Sequence, residues 1–256
     1  MPATTSNPRD RYVDLYRRWV GEFVVIVLGI LAALAVDSWS EDRNNRNLEQ
    51  EYLARIQADL EWDLAELEEA IRASILQGRS ATTLLYELND TLADHVPRFR
   101  SERLAAIDFA VPAHEEFDIP LKRLVWLAAR TRTFGPRRST YDELLATGRI
   151  TVIDDSELRT SIINHYSMVE DRVSGLAEWV QEPATRYDEF LGRTTGFNAY
   201  DFNAIDEPIP LLRDLEGLPP LLRDVRRISL RQASQLELIQ ESSRNLLEVI
   251  GSYLHN

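Results

Sequence analysis

Fourteen consecutive residues without a polar side chain, Phe23 to Val36, run between Glu22 and Asp37, and Trp19 and Trp39 bracket them as a 21-residue stretch. Wound as an α-helix, such a stretch is about 31 Å long, close to the ~30 Å hydrocarbon core of a bilayer. An indole at each end suits the membrane interface, where its N–H stays wet while the ring is sheltered. The pattern predicts one membrane-spanning helix over residues 19–39. Two other fates share the length of the apolar run. One is the apolar region of a cleaved signal peptide, for which Ala33-Leu34-Ala35 offers an A-x-A site; the other is a buried core helix. Against cleavage stand the charged lead of 22 residues, Glu22 at the head of the run, and the symmetric tryptophans.

Orientation follows from cationic residues that resist translocation. Arg9, Arg11, Arg17 and Arg18 precede the span, whereas Arg43 and Arg46 follow it among Glu41, Asp42, Glu49 and Glu51. The expectation is a cytoplasmic tail of residues 1–18, a single-pass anchor of residues 19–39 in a bacterial inner membrane, and a periplasmic domain of residues 40–256. Residues 1–39 carry four basic and four acidic groups, so the whole formal charge of −13 belongs to that domain. Such a domain is repelled by nucleic-acid phosphate, and no nucleic-acid partner is expected. The absence of cysteine removes disulfides, thiolate nucleophiles and thiolate-bound metals.

The segment Trp19-Val20-Gly21-Glu22-Phe23 through Gly29-Ile30-Leu31, with the exit Asp37-Ser38-Trp39-Ser40-Glu41-Asp42-Arg43, resembles the start of a family of uncharacterised bacterial single-span membrane proteins, a domain of unknown function. That family opens with a Gly-Glu pair, an apolar run containing Gly-Ile-Leu, and a Trp-x-Glu-x-Arg exit. Thr140-Tyr141-Asp142-Glu143-Leu144-Leu145-Ala146-Thr147-Gly148, followed by Ile153 and Glu157-Leu158-Arg159, extends the similarity to the middle of the chain. The C-terminal third shares little, and Asp37-Ser38 stands where the family usually has amides. The resemblance implies membrane placement and carries no activity.

Beyond the anchor the periodicity is helical throughout. Leu53, Ile56, Leu60, Leu64, Leu67, Ile71 and Ile75 recur at steps of three and four, one apolar stripe on a proline-free segment reaching His95. Gly78 is expected to kink or end that helix, with Ala81, Leu84, Leu85, Leu88 and Leu92 supplying a second face. Leu222, Val225, Ile228, Gln232, Leu236, Ile239, Ser243, Leu246 and Ile250 form a second stripe, with a mean step of 3.5 that suits packing along another long helix. Gln232 and Ser243 within it would set register or mark a wet seam. Proline-bearing connections are expected near 97–120 and 200–220. Shorter helices are expected from Leu121 to Thr131, from Ser139 as N-cap to Gly148 as stop, and, after a short extended link from Arg149 to Ile153, from Asp154 or Asp155 to about Gln181, with Pro183 interrupting the helix or restarting it toward Leu191. The predicted fold is all-α: an N-terminal transmembrane helix and an extramembrane helical bundle with long antiparallel helices.

Three groups of residues are candidates for function. Glu22, a carboxylate at the head of the span, would serve ion passage, a proton relay or partner contact, or else form an ordinary ion pair with Arg18 one turn earlier. Gly21, Val25, Gly29 and Ala33, at spacing four, make a small-residue face along which two anchor helices would approach. Lys122, Arg123, Arg130, Arg132, Arg137 and Arg138 place six positive charges in 17 residues without an acid. They would grip an anionic ligand or lipid head group, or else neutralise Asp59, Glu61, Asp63, Glu66, Glu68 and Glu69 across the bundle. His95, His114, His165 and His255 show no H-E-x-x-H and no pair at helical spacing, so that a metal would need folding to bring His114-Glu115-Glu116 to His165, and no nucleophile elbow, phosphate loop or dinucleotide motif occurs. No cofactor and no catalysis are expected. The expected role is a self-associating scaffold or accessory subunit, held in the lipid bilayer, that presents the bundle to a protein partner. A channel-like or energy-coupled assembly built on Glu22 and a periplasmic small-molecule sensor bundle are the alternatives, the sensor weakened by a tail too short for an output domain.

Overall fold

The computed structural model describes the backbone of residues 8–93, 102–107, 113 and 117–255; side chains are described for residues 23, 27–93, 103–107, 113 and 117–255. Trp19, Gly21, Glu22 and Val25 fall outside the described side chains, as do His95, His114 and much of the expected connection at 97–120. All regular structure among the described residues is helical. Six principal helices follow one another: α1 (Pro8–Glu87), α2 (Leu121–Ala129), α3 (Ser139–Ala146), α4 (Ser156–Val173), α5 (Leu176–Thr195) and α6 (Leu218–His255). Short helical turns occur at Glu102–Ala105, Arg149–Val152, Asp201–Ala204 and Pro208–Leu212.

The chain divides into two compact units, residues 1–52 and 53–256. In the first, the apolar side chains of α1 are exposed: Phe23, Leu28, Ile30, Leu31, Leu34 and Val36 each show more than half of their surface, as does Trp39 at 63%. The Arg43 guanidinium lies 5.8 Å from the Trp39 ring centroid, a cation–π contact. Among the described residues no helix is long and apolar enough to cross a membrane; within residues 19–39 the described side chains are Phe23 and those from Val27 on.

In the second unit, α6 runs antiparallel to the C-terminal half of α1. Gln240 Nε2 donates to Glu68 Oε2 (3.0 Å), Ser74 Oγ to Gln232 Oε1 (2.9 Å), and Arg223 to Asp90 (3.2 Å), so partners rise along one helix as they fall along the other. The stripes read from the sequence are the buried faces of this pair, Leu64 and Ile228 being partly buried and the rest buried. Two apolar clusters follow it. Ala81, Leu84, Leu85, Leu124, Val125 and Tyr187 belong to one, and Leu67, Ile71, Phe134, Val169, Leu236 and Ile239 to the other.

Four local expectations are corrected. Helix α1 continues past Gly78 to Glu87. A Cβ at Gly78 would lie 2.7 Å from Leu230 Cγ and 2.9 Å from Ser229 Oγ, so this glycine permits close helix approach and breaks nothing. Pro183 sits inside α5; the interruption occurs earlier, at Ser174-Gly175, where Gly175 takes the left-handed φ of 74° that a side chain disfavours. Arg138, with no side-chain cap, occupies the N-cap position of α3 in place of Ser139. Arg149–Val152, which the lack of a helical pattern between Gly148 and Asp154 leaves as a short extended link from sequence, is a 3₁₀ turn. By contrast, Asp155 caps α4 by accepting the N–H groups of Glu157 (2.8 Å) and Leu158 (2.9 Å). Pro219 and Pro220 open α6, where a missing N–H leaves no intrahelical bond unmade.

Candidate functional site

The link from Arg130 to Arg138 has no regular structure, so bonds from neighbouring helices must hold its backbone. Gln77 Nε2 donates to the Ala128 carbonyl (3.1 Å), Gln232 Nε2 to the Arg132 carbonyl (2.7 Å), and the Arg137 N–H to Asp63 Oδ1 (2.9 Å). Both glutamines are buried. This anchoring fixes where the arginines of the link project.

Two of them, Arg130 and Arg132, join Arg72, Arg79 and Arg103 around a cleft of about 540 Å³. Ile75, Leu76, Ile107, Ile119, Leu127 and Phe117 contribute its apolar wall. Three of the guanidiniums are oriented by glutamates of α1. Arg72 meets both oxygens of Glu69 (2.9 and 2.6 Å), Arg103 both oxygens of Glu68 (3.1 and 2.9 Å), and Arg132 meets Glu66 (3.0 Å). The bonds from Arg103 and Gln240 hold the Glu68 carboxyl below its ordinary pKa. Arg79 is buried with its guanidinium 5.1 Å from the Phe117 centroid. Arg130, exposed at the C-terminal end of α2, has no carboxylate partner among the described residues; its guanidinium lies 5.1 Å from the Trp126 centroid.

The other four members of the basic segment point elsewhere. Lys122 pairs with Asp206 (2.8 Å) and Arg123 lies on Trp126 (5.7 Å). Arg137 covers Trp62 (4.0 Å), and Arg138 meets Glu170 (2.9 Å) and Asp142 (3.3 Å). The segment is therefore split among several partners and forms no single patch. Arg72, Arg79 and Arg103, which complete the cleft, lie 27 to 58 residues before Arg130 and are scattered singly; sequence spacing carries no signal for them.

The segment Thr140 to Gly148 is a structural clasp. Thr140 Oγ1 donates to Asp59 (2.6 Å), Arg55 donates to Glu143, and the Tyr141 ring stacks on Tyr166 at 4.3 Å between centroids. Gly148 terminates it with a left-handed φ of 68°. Beside it lies Asp63, buried, its carboxyl raised from 3.8 to about 7 mainly by desolvation and further by the charge of Asp59, with the Arg137 N–H bond opposing.

His165 and Ser242 form the arrangement nearest to a nucleophile and base, with Nδ1 and Oγ 2.9 Å apart. Burial lowers the imidazole to about 4, which leaves it a weak base at neutral pH. Both residues sit within regular helix, and no carboxylate bonds the imidazole among the described residues. No three His, Asp or Glu side chains converge as metal ligands among the described residues. Comparison with protein-family models, curated proteins and solved structures gives no match.

Proposed function

We propose that the chain is a single-span protein of the bacterial inner membrane that acts as a self-associating scaffold or accessory subunit. Residues 1–18 face the cytoplasm, residues 19–39 lie in the lipid bilayer, and the helical bundle is displayed in the periplasm to a protein partner. The observation that carries this reading is the exposure of Phe23, Leu28, Ile30, Leu31, Leu34 and Val36 on one helix. Each such side chain left in water forgoes about 1.5–3 kcal/mol of burial, together on the order of 10 kcal/mol, comparable to the net stability of a whole domain. A core helix of the same chain would have covered them. Lipid covers them without any partner, and the tryptophan at each end and the resemblance to single-span proteins fit that solvent.

Self-association is supported by Gly29 and Ala33, whose helix surface is open: a Cβ at Gly29 would meet nothing within 4 Å. Small residues at spacing four let a second backbone approach closely, which is how helices associate in lipid. Purification from membranes in mild detergent, with mass measured by light scattering corrected for detergent, tests the role. An oligomer with a co-purifying protein is the expected result. A clean monomer with no companion would contradict it.

A further inference from the structure

We propose that the arginine-lined cleft is a binding site for a small organic monoanion, a carboxylate carried on an apolar body. Its volume of about 540 Å³ lies within the ~300–1,000 Å³ of small-molecule sites. The lining combines apolar side chains with guanidiniums, the two chemistries that match a carboxylate with an aryl or short alkyl body. Guanidinium matches a carboxylate through two parallel N–H···O bonds, and the sheltered wall strengthens that pairing relative to open water.

The charge of the ligand follows from the surrounding acids. Glu69, Glu68 and Glu66 already meet Arg72, Arg103 and Arg132, so those guanidiniums are fixed in place and largely compensated. Arg130 meets an indole instead, and a carboxylate can replace that weak contact with an ion pair. Arg130 brings a positive charge that no carboxylate of the described residues meets, and with a chain of net charge −13 around it a single negative charge fits and a multiply charged phosphate is repelled. The buried glutamine bonds to the carbonyls of Ala128 and Arg132 flank Arg130 on both sides and hold this site on a rigid frame. The site lies wholly within residues 69–132 and stands whether or not the helix before Ser40 is in lipid.

Trp126 makes the test direct, because its indole senses the Arg130 guanidinium. The full chain in nonionic detergent, titrated with sodium 4-phenylbutyrate at constant ionic strength, should give a saturable calorimetric isotherm and a matching change in tryptophan fluorescence. Acetate, which lacks the apolar body, and inorganic phosphate, which lacks it and carries more charge, should bind at least tenfold more weakly. Arg130→Gln should weaken phenylbutyrate at least tenfold, whereas Arg123→Gln, which removes the other guanidinium from Trp126 outside the cleft, should leave the affinity within twofold. Failure to saturate, equal affinity for acetate or phosphate, or an Arg130→Gln variant that binds as the native chain does would overturn the proposal.

Discussion

Asp63 accepts the backbone N–H of Arg137 at 2.9 Å across 74 positions of sequence, while the Arg137 guanidinium lies 4.0 Å from the centroid of Trp62, the residue preceding Asp63. The contact ties the link before α3 to α1 and places a carboxyl where water reaches it poorly. The protonated carboxyl is therefore the form the fold favours.

A pH dependence follows. Asp63 has its ordinary value of 3.8 when unfolded and about 7 when folded, so its contribution is complete below pH 3.8 and is lost as pH rises through about 7. Asp63→Asn keeps an oxygen to accept the Arg137 N–H and removes the charge. It should raise stability at pH 8 by on the order of 1–2 kcal/mol, water screening the rest of the effect. It should also flatten the decline between pH 4 and 7. Urea unfolding of the full chain in detergent at several pH values measures both.

His165 acts in the opposite sense. Its imidazole falls from 6.5 to about 4 through burial, so the contribution is complete above pH 6.5 and is lost as pH drops toward 4. His165→Gln, which can still bond Ser242, should abolish the loss on acidification while leaving the Asp63 slope intact. The double variant with Asp63→Asn should show a nearly level profile between pH 4 and 7 from these two groups, seen in the same unfolding series.

Gly78 tests the contact of α1 with α6. Alanine in a helix interior gains about 1 kcal/mol over glycine by propensity. Here its methyl would sit 2.7 Å from the branched carbon of Leu230, and overpacking of that kind costs about 1–3 kcal/mol. The packing term should win: Gly78→Ala is expected to lower stability by about 1 kcal/mol. Pairing it with Leu230→Ala, which makes room, should recover part of the glycine variant's deficit in a double-mutant cycle.

The anchor face is tested without reference to the bundle. Gly29→Ile with Ala33→Ile places two branched side chains where helix backbones would meet. Cross-linking in membranes should lose the oligomer bands while the protein stays membrane-bound. Unchanged bands would remove this face from the account.

The long helices were legible because burial imposes a period near 3.6, and both stripes turned out to be the buried faces of α1 and α6. Asp155 and Gly148 were legible as caps because local chemistry decides them. Gly78 and Pro183 both read as helix breakers from local propensity; Gly78 is instead the close-approach point against Leu230, and Pro183 is buried inside the continuous helix α5. The cleft was half visible. Arg130 and Arg132 stood out in an acid-free segment, whereas Arg72, Arg79 and Arg103 lie singly far before it in the chain, and only the docking of the link on α1 through Glu66 and Asp63 brings the two sets together.

Sedimentation with intact-mass analysis tests the central claim most directly. Cell membranes washed with alkaline carbonate and pelleted without detergent should retain the protein, and its mass should include Trp19 and the whole apolar run. Recovery in the supernatant, or a mature chain beginning at Val36, would contradict a chain held in the bilayer by this helix.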